Sequence, residues 1–290
     1  MPQARRAAQP PPRRSADSQP PRKRSDLLSR VLVAVPAAVL AIVFVDIGGI
    51  GWMLLMVLLA FACLSELYRM LPDWRPVPVV GFVVVAGMCV AARYGHTPAY
   101  VAGAACAGAP LVLLAIMARG HTTDATLTIA ATLLGIIWIG FAFAFAVLLR
   151  QVPHVGKGIV IDVMIGTFVG DTAAYLGGRM FGRHPMAPAI SPKKTVEGLG
   201  IGALATIVAV VVAGLYQEAW LSHGAALLLG VAIAIFGPLG DLFESLIKRD
   251  AGTKDAGRLF GAHGGALDRL DAIIFTIIVG YFIAIHIPAR

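Results

Sequence analysis

Apolar runs long enough to cross a lipid bilayer recur along almost the whole of this sequence, and they limit the chain to very few folds. Hydropathy predicts about nine spans, at 30–46, 51–71, 77–93, 99–117, 125–149, 159–181, 199–215, 225–247 and 271–287. Each is near the length a helix needs to cross ~30 Å of hydrocarbon. Only 14% of the 290 residues are charged and 58% are hydrophobic, whereas a soluble domain carries about 25% charged residues. Backbone polar groups in lipid must be satisfied within the segment, which leaves helices for runs of this length. The expected fold class is all-α, a polytopic transmembrane helix bundle. The Asp46–Gly51 stretch reads as a hinge between the first two spans.

Charge is distributed unevenly around these spans. Residues 1–30 contribute +6 of the formal +8. Residues 1–27 form a Pro-rich basic tail whose composition cannot support a core. Residues 28–158 read as an N-terminal transmembrane region without motifs, and residues 159–290 as a catalytic transmembrane region with two motif loops. With the N-terminus in the cytoplasm, twenty Lys and Arg fall on the cytoplasmic side. Four fall on the other: Arg93, Arg150, Lys157 and Arg290. That asymmetry puts the polar loops 182–198 and 248–270 in the cytoplasm. The three cysteines, Cys63, Cys89 and Cys106, sit in apolar runs at spacings that suit neither zinc nor a disulfide framework.

Acidic residues inside apolar helices cost several kcal/mol and need a reason. Asp171 and Asp241 lie well within predicted spans. Asp241, Glu244, Ser245 and Lys248 fall at i, i+3, i+4 and i+7, a single polar stripe on an otherwise apolar helix. Gly237, Pro238 and Gly240 just before the stripe suggest a local break in that helix.

The loop that follows carries Lys248, Arg249, Lys254, Arg258, His263, Gly264, Gly265 and Arg269, then Asp268 and Asp271 at the start of the last span. Basic side chains can surround a polyphosphate, and glycines let backbone N–H groups approach it. Carboxylates among many cations suit a magnesium–nucleotide site, with hard oxygen ligands for the metal and cations for the phosphates. In the other loop, Ser191-Pro192-Lys193-Lys194-Thr195 reads as a helix start with Ser191 as N-cap and Pro192 at N1. A helix N-terminus bearing two lysines is also an anion site.

Four runs carry a resemblance. They are Asp171-x3-Tyr175-x-Gly177-Gly178-x2-Phe181-Gly182, Ser191-Pro192-Lys193-Lys194-Thr195-x-Glu197-Gly198, Gly240-Asp241-Leu242-x-Glu244-Ser245, and the long run from Ser245 through Lys248-Arg249, Lys254-Asp255, Phe260-Gly261, His263-Gly264-Gly265 and Asp268-Arg269-Leu270-Asp271. Over roughly 165–275 the chain resembles the phosphatidate cytidylyltransferases. It departs from them at Val196, Ala262 and Ala266, where no ligand or charge is lost.

The resemblance implies the reaction CTP + phosphatidate → CDP-diacylglycerol + pyrophosphate, with magnesium required. It also implies a homodimer in the cell membrane with its active site facing the cytoplasm. On this basis Asp241, Asp268, Lys248 and Arg249 are expected to be catalytic. Ser191, Lys193, Lys194, Thr195, Lys254, Arg258, His263, Gly264, Gly265 and Arg269 are expected to bind CTP phosphates. The metal is expected on Asp241 and Asp268, with Asp171, Glu244 and Asp271 as further candidates and room for a second monovalent or divalent cation. Nucleic acid is not an expected partner. The Asp-Gly-x2-Ala-Arg run of CDP-alcohol phosphatidyltransferases and the G-x4-G-K-[ST] of P-loop kinases are absent from the sequence. The remaining alternative is a transporter using Asp171 and Asp241 as a cation or proton relay.

Overall fold

The computed structural model describes residues 39–120, 123–217, 220–257 and 264–287. The basic tail, Arg258 and His263 lie outside them. Among the described residues the chain is a helix bundle, with helix α1 at 39–47. There follow α2 (Gly49–Met70), α3 (Pro78–Gly95), α4 (Pro98–Cys106), α5 (Gly108–Arg119), α6 (Ala125–Gly135), α7 (Phe141–Arg150) and α8 (Gly156–Phe181). After a hairpin of β1 (Pro185–Ala187) and β2 (Ser191–Thr195) come α9 (Val196–Leu215), α10 (His223–Asp250) and α11 (Leu267–Ala284). Seven described segments are long and apolar enough to cross a membrane, with α4–α5 and α6–α7 each forming one. Most of the expected first span lies outside the described residues. The expected last span, 271–287, overlaps α11, which is not among the seven and whose first two turns carry Asp268, Arg269 and Asp271.

The hinge at Asp46–Gly51 is a sharp turn at Gly48 and Gly49, whose φ values of 61° and 56° belong to the left-handed region that glycine tolerates. Arg150 closes this end of the bundle by donating to the Val45 carbonyl at 2.6 Å and the Asp46 carbonyl at 3.3 Å. Lys157 pairs with the Asp46 carboxylate.

At the centre, every residue of α7 from Ala142 to Leu149 is buried. A π-helical segment, Ile136–Gly140, joins α6 to α7. It turns Trp138 edge-on to Phe243 of α10, with ring centroids 4.9 Å apart. Phe243 also meets Phe275 of α11. These apolar contacts hold one face of α10 against the core and leave its polar stripe to face elsewhere.

The helices of the second half meet through small residues, as helices in lipid do when close backbone approach supplies the packing. In α8 and α9 the contact runs through Gly166, Gly170, Gly202 and Thr206. A Cβ at Gly170 would lie 2.1 Å from Thr206 Oγ1, and one at Gly202 would lie 2.9 Å from the Gly170 carbonyl oxygen. Thr206 donates its hydroxyl proton to the Gly166 carbonyl at 3.1 Å.

Two local expectations are corrected. Ser191 and Pro192 do not start a helix: Ser191–Thr195 is a strand, paired antiparallel with Pro185–Ala187. The helix begins at Val196 with Thr195 as its N-cap, whose hydroxyl accepts from the Gly198 N–H at 3.2 Å. Glu197 takes the backbone N–H groups of Arg183 and His184 and so ties the hairpin down at its base. The Gly237–Gly240 stretch does not break α10 either, which runs unbroken through Pro238 from His223 to Asp250. The value of Gly240 is close approach, since a Cβ there would stand 2.5 Å from the Asp271 carbonyl oxygen.

Candidate active site

That close approach builds the site. With only hydrogen atoms on the Gly240 Cα, the first turns of α11 lie directly against α10 at the height of Asp241. The helical period then puts Asp241, Glu244, Ser245 and Lys248 on one line facing them. The Ser245 hydroxyl lies 3.4 Å from Asp241 Oδ1. Lys248 Nζ donates to Glu244 and, at 2.8 Å, to Asp268 Oδ1.

The residues converge from four directions. Asp241 and Glu244 come from α10, and Asp271 from the second turn of α11. One ligand oxygen from each of these three lies within 4.8 Å of the others. Lys194 reaches in from β2 and pairs with Asp241. Asp171 on α8 lies within electrostatic reach of Asp241 and Lys194. Below it runs a narrow cleft between α8, α9 and α10, lined by Thr167, Gly170, Asp171, Gly202, Thr206 and Pro238.

Asp268 sits beside the three-carboxylate group but outside it. Its Oδ1 accepts from Lys248 and from the Ala256 N–H, and its Oδ2 from Ala256 and, at 2.7 Å, from the Gly265 N–H. Asp268 therefore gathers the two ends of the Gly-rich loop onto the start of α11. Gly264, with φ of 83°, is at the turn this needs, where a side chain would be strained and would crowd Asp268.

Arg249 joins the two motif segments by donating from Nε to the Ile190 carbonyl at 3.0 Å, in the turn of the hairpin. Gly252, at φ 65°, stops α10 with its N–H on the Arg249 carbonyl. Lys193 and Lys254 are exposed, and Ser191 is half-buried on β2.

Carboxylates held this close repel one another unless a cation stands among them. Glu244 is fully buried, and its Oε1 has no hydrogen-bond partner. A buried carboxylate oxygen left without a donor, next to two more carboxylates, fits a hard divalent cation that takes oxygen ligands.

Two further buried acids carry no motif signal. Glu66 on α2 is 3% exposed and accepts from the Leu267 N–H at 2.9 Å. Asp162 on α8 is fully buried and accepts from Gln217. An acid inside an apolar run was the available sign for both. What each one touches lies far away along the chain.

Comparison of the sequence with known proteins shows its family. The sequence model described as the cytidylyltransferase family matches residues 28–286. A protein of Staphylococcus aureus (strain COL) named phosphatidate cytidylyltransferase is 30% identical over 256 residues, which cover 86% of this chain and 95% of that protein. One of the same name from Staphylococcus saprophyticus is 29% identical over 252 residues, with the same coverage of both chains. A third of that name, from Mycobacterium bovis, is 36% identical over 163 residues, which are 55% of this chain and 52% of the relative. The chain thus spans about half the length of the mycobacterial relatives it matches and nearly all of the staphylococcal ones. With a family match along almost its whole length, the chain belongs to the cytidylyltransferase family.

Proposed function

We propose that the protein transfers the CMP moiety of CTP to phosphatidate, forming CDP-diacylglycerol and pyrophosphate. The observation that carries this reading is the meeting of Asp241, Glu244 and Asp271 with Lys194 and Lys248 beside the intramembrane cleft. One substrate is lipid-bound and the other water-soluble. A polar group where a cleft between spans meets two polar loops gives both a common site. A transporter's ion relay would use the acids alone, without the lysine-bearing hairpin and the Gly-rich loop.

In the reaction a phosphate oxygen of phosphatidate attacks the α-phosphorus of CTP, and the bond to the β-phosphate oxygen breaks, releasing pyrophosphate. Asp241, Glu244 and Asp271 are the residues that would hold magnesium, with Asp171 nearby and Asp268 linked to them through Lys248. Bound magnesium supplies a Lewis acid for the phosphoryl oxygens. Lys194, Lys193, Lys254, Arg258, Arg269 and His263 bring positive charge or hydrogen bonds to the phosphates, and Gly264 and Gly265 let the loop backbone come close to them. Lys248 and Arg249 hold the carboxylates and the hairpin in place while charge moves toward the leaving group.

The magnesium requirement has a direct check. The purified protein with phosphatidate and CTP should form CDP-lipid with magnesium, lose that activity in EDTA, and regain it when magnesium is restored. Full turnover in EDTA would contradict the metal assignment.

The proposed setting is the cell membrane, with the N-terminus and both motif loops in the cytoplasm. The resemblance adds a homodimer. Single cysteines at Ala187 and Thr253, in a background lacking Cys63, Cys89 and Cys106, are expected to react with an impermeant thiol reagent only from the cytoplasmic side. Reaction of either one from outside would overturn this orientation.

A further inference from the structure

Glu66 comes from the half of the chain without motifs, yet it touches both ends of the Gly-rich loop. Its Oε2 accepts from the Leu267 N–H, the first residue of α11. At Gly257, the three atoms nearest a hypothetical Cβ all belong to Glu66, the closest being Oε1 at 2.3 Å. At Gly265 the same is true, with Oε2 at 2.2 Å. Neither glycine has a positive φ among the described residues, so the Glu66 carboxylate, rather than backbone conformation, is what bars a side chain there. Cys63, one turn earlier on α2, is within electrostatic reach of Glu66, Glu244 and Asp271 together. Glu66 therefore meets the same end of the loop, at Gly265, that Asp268 holds.

We infer that Glu66 is a positioning residue. Its carboxylate pins the start of α11 and packs against Gly257 and Gly265, setting the loop in the one arrangement that brings Asp268 to Lys248 and Asp271 to Asp241. A carboxylate suits the task because α11 begins with free N–H groups and a partial positive charge. The two glycines are required because Glu66 fills the space their side chains would take. This inference rests on the nucleotidyl-transfer reading for its effect on activity, but not for its effect on the loop.

The test uses the full-length protein and a double-mutant cycle of Glu66→Ala and Gly257→Ala, with Glu66→Gln as the conservative variant. Two quantities are read: kcat and KM for CTP, and the rate of tryptic cleavage after Lys254, which needs no activity. Glu66→Ala is expected to lower kcat/KM about tenfold or more, as for a buried hydrogen bond to a charged group, and to speed cleavage. Glu66→Gln should recover most of both, because its amide oxygen still accepts from Leu267. Gly257→Ala should be damaging alone and nearly silent on top of Glu66→Ala, because the clash partner has gone. Additive losses, or a Glu66→Ala protein with normal kcat/KM and normal loop protection, would overturn the inference. Should Glu66→Ala fail to fold, Glu66→Gln and Gly257→Ala decide by the same two readouts. A wild-type protein that makes no CDP-lipid would sink the functional reading, while the cleavage rates would still judge the role of Glu66.

Discussion

Asp241→Asn is expected to lower turnover at saturating CTP and magnesium by at least about a hundredfold, comparable to losing a principal electrostatic stabiliser. The substitution keeps the shape and most hydrogen bonding of the side chain. It removes one of three carboxylates whose oxygens approach within 4.8 Å, and it removes the charge that holds Lys194 of β2 against α10. Both the expected metal shell and the docking of the hairpin are weakened at once. Insertion and assembly should survive, because losing a charge lowers the cost of burial. The magnesium concentration for half-maximal activity should rise as well, since a neutral amide is a poorer ligand for a hard cation. Normal turnover with an unshifted magnesium midpoint would remove Asp241 from the site and make Asp171 the next candidate.

Lys248→Met has the second large effect, and it should show in stability as well as rate. Lys248 bridges Glu244, whose side chain is fully buried, and Asp268, whose side chain is 13% exposed. Removing one partner of a buried ion pair leaves the other charge uncompensated, at a cost of about 3–5 kcal/mol. Here one loss affects two carboxylates, and with them the attachment of the Gly-rich loop. The expected outcome is a clear fall in the melting temperature of the detergent-solubilised protein, together with loss of at least about a hundredfold in turnover. Adding Glu244→Gln to Lys248→Met should recover part of the melting temperature, because the stranded buried charge is gone, but none of the turnover. If Lys248→Met melts at the wild-type temperature, the bridge does not hold the loop.

The parts of this molecule that could be read from sequence are those governed by a period or a composition. The apolar runs became helices because lipid leaves the backbone no other way to satisfy its hydrogen bonds. The Asp241–Lys248 stripe followed from 3.6 residues per turn. The hairpin was not legible in the same way. Ser191-Pro192 has the local chemistry of a helix start, but pairing with Pro185–Ala187 and the grip of Glu197 on Arg183 and His184 moved the cap to Thr195. A proline between two glycines suggested a break in α10. Packing used Gly240 instead to bring Asp271 alongside Asp241, a contact with no local signature. The same holds for Glu66, whose partner Leu267 lies 201 residues away. Asp268 shows the limit most clearly. Its place beside Asp271 was plain, but its four donor contacts emerge only once the loop is folded.

The most direct measurement of the central claim follows the two ends of CTP. The purified protein is given phosphatidate, magnesium and CTP labelled in turn at the α- and the γ-phosphate. The account predicts that the α-label enters a chloroform-soluble CDP-lipid while the γ-label leaves as pyrophosphate in equal amount, with Asp241→Asn blocking both. No lipid label from the correctly folded protein, or release of γ-label as inorganic phosphate without a CDP-lipid, would contradict it.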